Sequence, residues 1–206
     1  MKILVKICGI RSAHAAKAAQ KAGADMLGFN FVPTSNRRVS IEIAREIIDS
    51  LPKKGRPKLV GVFQNAPLEK VQLIMKGLGL DMAQLHGRES DAYARALGFP
   101  VIKAIGLTPD FDPVRVARPL QAYPAKYFLL DRASQGKGKT LDIAHVTKLA
   151  RHLPVILAGG LAPETIRMAI RGSGRIKGVD VAGGVETKGK QDLVKIRRFI
   201  REARLA

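Results

Sequence analysis

Among its 206 residues the sequence has one cysteine, no tryptophan and an aromatic content of only 5%. A lone cysteine permits no internal disulfide, which suits a reducing compartment. Rings are too few, and too poorly mixed with basic clusters, for a surface that stacks single-stranded bases. No apolar stretch approaches the roughly 20 residues that a membrane-spanning helix requires. The apolar run at the N-terminus is broken by Lys6 and Arg11 before a signal-peptide core forms. These absences lead us to expect a cytoplasmic protein without a membrane partner. His, Cys and acidic residues nowhere gather at ligand spacing, so no metal is expected.

Acidic residues are also scarce. Seventeen Asp and Glu face 36 Lys and Arg, for a formal net charge of +19. The basic residues are densest at 53–58 and 188–204, where Lys195, Arg197, Arg198, Arg201 and Arg204 fan around a helix rather than form one stripe. This reads as a solvated basic surface that binds polyanions incidentally at low salt, with no specific nucleic-acid partner.

What is present is a globular composition, 46% hydrophobic and 26% charged. Periodicity alternates from end to end. Apolar β-rich runs occur at 3–8, 26–31, 58–63, 81–85, 100–105, 127–131, 154–158 and 177–182. Helical patterns fall at 13–22, 41–50, 67–77, 89–97, 112–121, 142–152, 163–171 and 190–203. Ser12, Ser40 and Asp142 suit N-caps, Pro67 and Pro163 a first helical turn, and Gly23 and Gly98 the residue after a helix. Eight such units without a linker predict a single-domain (β/α)₈ barrel over 1–206. An open doubly wound sheet is the lesser alternative, because the first crossover, Cys8-Gly-Ile-Arg-Ser12, lacks a G-x-G-x-x-G fingerprint.

Strand alternation then sorts the side chains. Ile3, Val5 and Ile7 should face the helices, with Leu4, Lys6 and Cys8 inward. Tyr127, Leu129 and Asp131 form the inward set of the sixth strand, and Asp180 is inward on the eighth. Because a closed barrel makes the first and last strands neighbours, Lys6 and Asp180 should pair beneath Cys8. A thiol at a strand end is either a small buried hydrophobe or a base or nucleophile. An inward Lys6 would favour its thiolate.

Gly159-Gly160 and Gly183-Gly184 follow the seventh and eighth strands, where barrel enzymes bind phosphate through main-chain N–H groups, aided by helix N-termini. Residues 131–140 fail as a nucleotide loop, since Ala133 stands where glycine is needed. They read instead as a mobile loop over a substrate, with Asp131 at its base. Arg37 offers a planar fork for a carboxylate, whereas Arg38 is expected to be solvated. His86 ends the fourth strand, as either a structural or a catalytic group.

These residues, in this order, make the chain resemble the phosphoribosylanthranilate isomerase family. The likeness runs through Lys6-Ile-Cys-Gly-Ile10, Gly23-Ala-Asp-Met-Leu-Gly-Phe29, Ser35-Asn-Arg-Arg-Val-Ser40, Gln84-Leu-His-Gly87, Leu129-Leu-Asp131, Gly138-Lys-Thr140, Ala158-Gly-Gly-Leu161 and Gly184-Val-Glu186. The resemblance implies a (β/α)₈ barrel that carries out an Amadori rearrangement of N-(5-phosphoribosyl)anthranilate without a cofactor. It implies Cys8 as general base, Asp131 as general acid and Arg37 as clamp on the anthranilate carboxylate. His86, Asp180 and the two glycine pairs would contact the substrate, in a monomer or homodimer. The chain departs from the family where Ala182 and Gly183 replace two serines, so both hydroxyls are missing from the phosphate loop. Two other readings stay open: a histidine-pathway or dual-substrate sugar-phosphate isomerase, and a non-catalytic barrel that binds polyanions.

Overall fold

The computed structural model describes residues 3–132, 141–171 and 173–206. In chain order the barrel strands are β1 (Leu4–Ile7), β2 (Met26–Asn30), β3 (Lys58–Phe63), β4 (Met82–Leu85), β5 (Val101–Leu107), β6 (Tyr127–Arg132), β7 (Val155–Leu157) and β8 (Gly178–Val181). They pair in parallel in sequence order and close between β8 and β1. Each expected strand is present, β3 over the expected residues and the others trimmed or extended by a residue or two.

The helices are α1 (Ala13–Lys21), α2 (Ile41–Asp49), α3 (Leu68–Gly77), α4 (Asp91–Ala96), α5 (Pro113–Leu120), α6 (Ile143–Leu149), α7 (Ile166–Ile170) and α8 (Leu193–Arg204). Their ends follow the local chemistry. Ser12 accepts from the Ala15 N–H at 3.2 Å, Ser40 from Ile43 at 3.2 Å, and Asp142 from Ala144 at 2.7 Å. Gly23 and Gly98 take φ of +88° and +75° just beyond α1 and α4, a region costly for any side chain.

Two helices begin later than the sequence pattern suggests. Residues 186–191 form a short antiparallel hairpin, β9 (Glu186–Thr187) with β10 (Lys190–Gln191), before Asp192 caps α8. Pro163 lies in a turn, and α7 starts only at Ile166 and runs five residues. The sequence expectation of a helix dipole at that loop is therefore withdrawn. The expected mobile loop over 131–140 lies, from 133 onward, outside the described residues, as does Gly138-Lys-Thr140.

The core has two parts, split by strand alternation as expected. Val5, Ile7, Val179 and Val181 pack outward against the helices. Inside the barrel, Met26, Val60, Met82, Ile102, Leu129 and Ile156 form an apolar plug, with Leu4 and Tyr127 at its edge. Above it comes a polar layer containing Lys6 and Asp180. Cys8, Val32 and Val62 with Ala182 form the uppermost apolar contacts. The plug makes the lower barrel solid and leaves chemistry to the upper rim.

Candidate active site

Strand register puts Lys6 directly beside Asp180. Parallel neighbours in register project side chains to the same face, so the two meet inside the barrel. The Lys6 ammonium donates to Asp180 Oδ1 at 2.8 Å, and the two side chains are only 1% and 9% exposed. Burial alone would lower the lysine pKa. The Asp180 charge and hydrogen bond, together with Cys8, outweigh it and hold the group above the ordinary lysine range. Lys6 is therefore cationic at every working pH.

Gly28 of β2 makes room for this layer. A Cβ there would lie 2.8 Å from Cys8 Sγ and 3.0 Å from Lys6 Nζ. Gly28→Ala should force both groups aside and cost about 1–3 kcal/mol, read as a lower urea midpoint with unchanged m.

Cys8, one residue past β1, is buried, and its N–H donates to Val181 O at 2.8 Å. Burial pushes the thiol pKa upward, Lys6 pulls it down and Asp180 pushes it up again, for a net rise. The expectation that Lys6 stabilises a resting thiolate is thus corrected. Asp180 already balances the ammonium, and desolvation wins.

Asp131 stands near the upper end of β6, with β7 and β8 between it and β1 on the short way round. Its Oδ1 accepts the Arg132 N–H at 2.8 Å. Burial raises its pKa, and Asp180 raises it further. The Arg132 N–H, His86 and the Arg132 charge oppose them without reversing the sign. His86 is shifted the other way, chiefly by burial, and stays neutral near pH 7.

Cys8, Asp131, His86, Asp180 and Arg37 all line one cavity of about 440 Å³. An adjoining cavity of about 360 Å³ shares Arg37, Asp131 and Asp180 with it and is floored by Gly159, Gly160, Gly183 and Gly184. Every candidate residue read from the sequence therefore sits at one barrel mouth. Gly159 and Gly160 both take φ +79°, and a Cβ on Gly159 would lie 2.7 Å from Asp131 Oδ1. Among the described residues neither glycine N–H has a hydrogen-bond partner, so both remain available to an anion. A larger groove of about 750 Å³ beside α6 and α7 is lined mainly by apolar groups such as Leu141, Ile143 and Met168, and lacks Cys8, Asp131 and Arg37.

Residues 5–202 match the family described as N-(5'-phosphoribosyl)anthranilate (PRA) isomerase. The chain belongs to this family. It is similar to the N-(5'-phosphoribosyl)anthranilate isomerase of Desulforudis audaxviator, with 44% identity across 98% of each chain. The phosphoribosylanthranilate isomerase structure from Thermotoga maritima is 36% identical with a TM-score of 0.88, covering 99% of this chain and all of that one. A further phosphoribosylanthranilate isomerase structure, solved with reduced 1-(o-carboxyphenylamino)-1-deoxyribulose 5-phosphate, is 34% identical with a TM-score of 0.85 over 99% of this chain and 100% of that chain.

In this phosphoribosylanthranilate isomerase family member, the sequence reading of Arg37 needs one refinement. Its Nε and Nη2 already form a fork with Glu186, at 3.0 and 2.8 Å, and Arg11 donates to the same carboxylate at 3.0 Å. The guanidinium that the sequence offered as a carboxylate clamp is thus held by an internal carboxylate. Nη1 is left without a partner among the described residues. Asn30 and Ser35 shape the loop beneath it: Ser35 Oγ accepts from Asn30 Nδ2 at 3.0 Å and from the Arg37 N–H at 3.1 Å. Arg38 is exposed, as expected.

Sequence reasoning missed three contributors in this family member. Glu186 was visible only as part of a motif. Gln84 is 1% exposed, lines the cavity with Cys8, and its Oε1 has no hydrogen-bond partner among the described residues. Lys103 and Glu89 form a buried pair at 2.8 Å that grips Gly87 through its carbonyl and N–H, which fixes the segment carrying His86. A lysine inside an apolar strand was the available signal for that pair. Among the described residues no group of His, Cys, Asp or Glu is placed to hold a metal ion, and no helix is long and apolar enough to cross a membrane.

Proposed function

We propose that this single-domain protein acts in the cytoplasm on N-(5'-phosphoribosyl)anthranilate, converting it to 1-(2-carboxyphenylamino)-1-deoxyribulose 5-phosphate. The observation that carries the reading is one cavity lined by a buried thiol, a carboxylic acid of raised pKa and an arginine, joined to a second floored by two glycine pairs.

The chemistry needs two proton transfers by side chains, followed by a tautomerisation. Asp131 donates a proton to the furanose ring oxygen as the C1–O bond breaks, and the anilino nitrogen supplies the electron pair that forms the iminium. That cation acidifies C2–H. Cys8, as thiolate, removes the C2 proton, and the C–H electrons move to form the C1–C2 double bond of an enaminol while the iminium nitrogen recovers its pair. Tautomerisation releases the proton of the C2 hydroxyl and adds one at C1, giving the aminoketone. The substrate is its own electron sink, so the net change is an isomerisation without an external oxidant or cofactor.

Binding follows from charge. The substrate's carboxylate meets Arg37, whose orientation is fixed by Glu186. Its phosphate meets the main-chain amides of Gly159, Gly160, Gly183 and Gly184. Asp180 and His86 border the sugar. The test is conversion of freshly prepared substrate by the purified protein, with product identified by chromatography against an authentic standard. Turnover is expected; a folded protein without turnover would remove the assignment.

A further inference from the structure

We infer that the lower rim of the barrel, at the end opposite the active site, is a docking surface for the phosphate backbone of nucleic acid, recognised by charge and not by base sequence. The inference stands apart from the isomerase reading and uses none of its residues.

All eight barrel strands are parallel, so the loops leading into them share one end of the barrel. Arg56, Lys126, Arg151 and Arg175 sit exposed in those loops, with half-buried Lys177 just before β8. Arg56 and Lys126 line one cavity of about 580 Å³ below the apolar plug. Arg151, Arg175 and Lys177 line another of about 420 Å³, between the loops into β7 and β8. Because β6, β7 and β8 are neighbours, Lys126, Arg151 and Lys177 follow one another around the rim. The barrel ladder holds two of them in place. The Lys126 N–H donates to Val101 O at 2.8 Å and the Lys177 N–H to Val155 O at 2.8 Å, while Lys177 O accepts from the Leu4 N–H at 2.9 Å.

Two ordinary reasons for cations at this end are already met by other residues. Helix C-termini point the same way and attract positive charge. Lys21, Lys76, Lys148 and Arg204, in the last turns of α1, α3, α6 and α8, supply it. The acids at the strand starts are also taken. Asp25 accepts the Val5 N–H and pairs with Arg204, and Asp81 accepts the Leu59 N–H and pairs with Lys58. Further acids lie out on the helix ring, such as Asp49 at the end of α2 and Glu202, which Arg167 and Arg201 hold. Among the described residues none of the five cations of the arc has a carboxylate partner. At the active-site end, by contrast, Asp112, Asp142 and Asp192 cap helix starts. The molecule is electrically polar, with an unneutralised positive face turned away from the substrate cavity.

The scarcity of apolar anchors selects the partner. Protein interfaces centre on large side chains buried in pockets. Here the Tyr127 ring is half-buried with the Lys126 ammonium 5.9 Å from its centre, and Leu205, beyond α8, is the large exposed apolar side chain at this end among the described residues. Spaced cations without such an anchor suit a polyelectrolyte, whose binding is driven by release of its condensed counterions.

The test is fluorescence anisotropy of a labelled DNA duplex of about 20 base pairs and arbitrary sequence, titrated between about 50 and 200 mM salt. Contact with three to five phosphates should give a log–log salt slope of about −3 to −5. The triple variant Lys126→Gln, Arg151→Gln, Arg175→Gln should bind at least about 10-fold more weakly at the lower salt, with the slope flattened by about 2 to 3. Arg38→Gln, Arg88→Gln, Lys188→Gln removes the same charge from exposed positions at the active-site end. Its affinity should change by less than about threefold. Circular dichroism shows whether each variant is folded; if the rim triple is not, the three single variants carry the test, each flattening the slope by about 1. Wild type that does not bind the duplex at the lower salt would overturn the inference. Equal weakening in the two triple variants would do the same, since it means diffuse attraction without a docking face. Poly-glutamate bound more tightly than the duplex would assign the face to an acidic polypeptide and overturn the choice of nucleic acid.

Discussion

Asp131→Asn should lower kcat/KM by about 10²- to 10⁴-fold while leaving the melting temperature unchanged or raised. The amide keeps an oxygen for the Arg132 N–H that Asp131 Oδ1 now accepts, so the local geometry survives. It carries no proton to give. The carboxyl's folded-state pKa is raised, first by burial. Relative to the amide, the group's favourable contribution to stability is therefore fully present only below the unfolded-state pKa. It is lost as pH rises through the folded-state value, so at neutral pH removing the charge does not cost stability.

The same shifts fix the shape of the pH–rate profile. Turnover requires protonated Asp131 and ionised Cys8, yet the thiol pKa is raised above its ordinary value and so lies above that of the carboxyl. The productive pairing is a minority form. Its population rises through the Asp131 pKa, is flat between the two values, and falls beyond the Cys8 pKa. In Asp131→Asn the residual rate should instead climb with pH until the thiol is fully ionised. A residual rate that falls with alkaline pH would contradict these roles.

Lys6→Met should destabilise the fold by about 3–5 kcal/mol, because it strands the Asp180 carboxylate in a buried layer without its ammonium partner. The closely matched apolar replacement of both partners, Lys6→Met with Asp180→Leu, should recover most of that loss but not the activity. Urea denaturation of the three proteins measures both effects. A single variant within about 1 kcal/mol of wild type would mean that water already reaches and solvates the pair.

The strands were legible because each is a short apolar run bounded by turn residues, and the closed barrel because there are eight of them. Closure then gave a long-range contact, Lys6 with Asp180, from nothing more than period-two alternation. The readings that changed were those in which one group's partner depends on a third. Lys6 beside Cys8 suggested a thiolate, yet burial, helped by the Asp180 carboxylate already expected to pair with Lys6, turns the thiol the other way. Arg37 looked like an open fork until Glu186, 149 residues away, filled it. Helix starts moved where side chains had other work. Residues 186–191 fold as a hairpin that brings Glu186 to Arg37. Glu89, inside the expected fourth helix, instead precedes it and pairs with Lys103. Local pattern carries the elements; convergence of loop side chains is a property of the assembled rim.

The most direct measurement compares Cys8→Ala with wild type in two assays: affinity for reduced 1-(o-carboxyphenylamino)-1-deoxyribulose 5-phosphate, and turnover of N-(5'-phosphoribosyl)anthranilate. The affinity should stay within a few-fold, because the ligand's anionic ends are held elsewhere at the rim, while turnover drops by at least about 100-fold. A folded Cys8→Ala protein that still turns over substrate at a rate near that of wild type would contradict the sulfur as base.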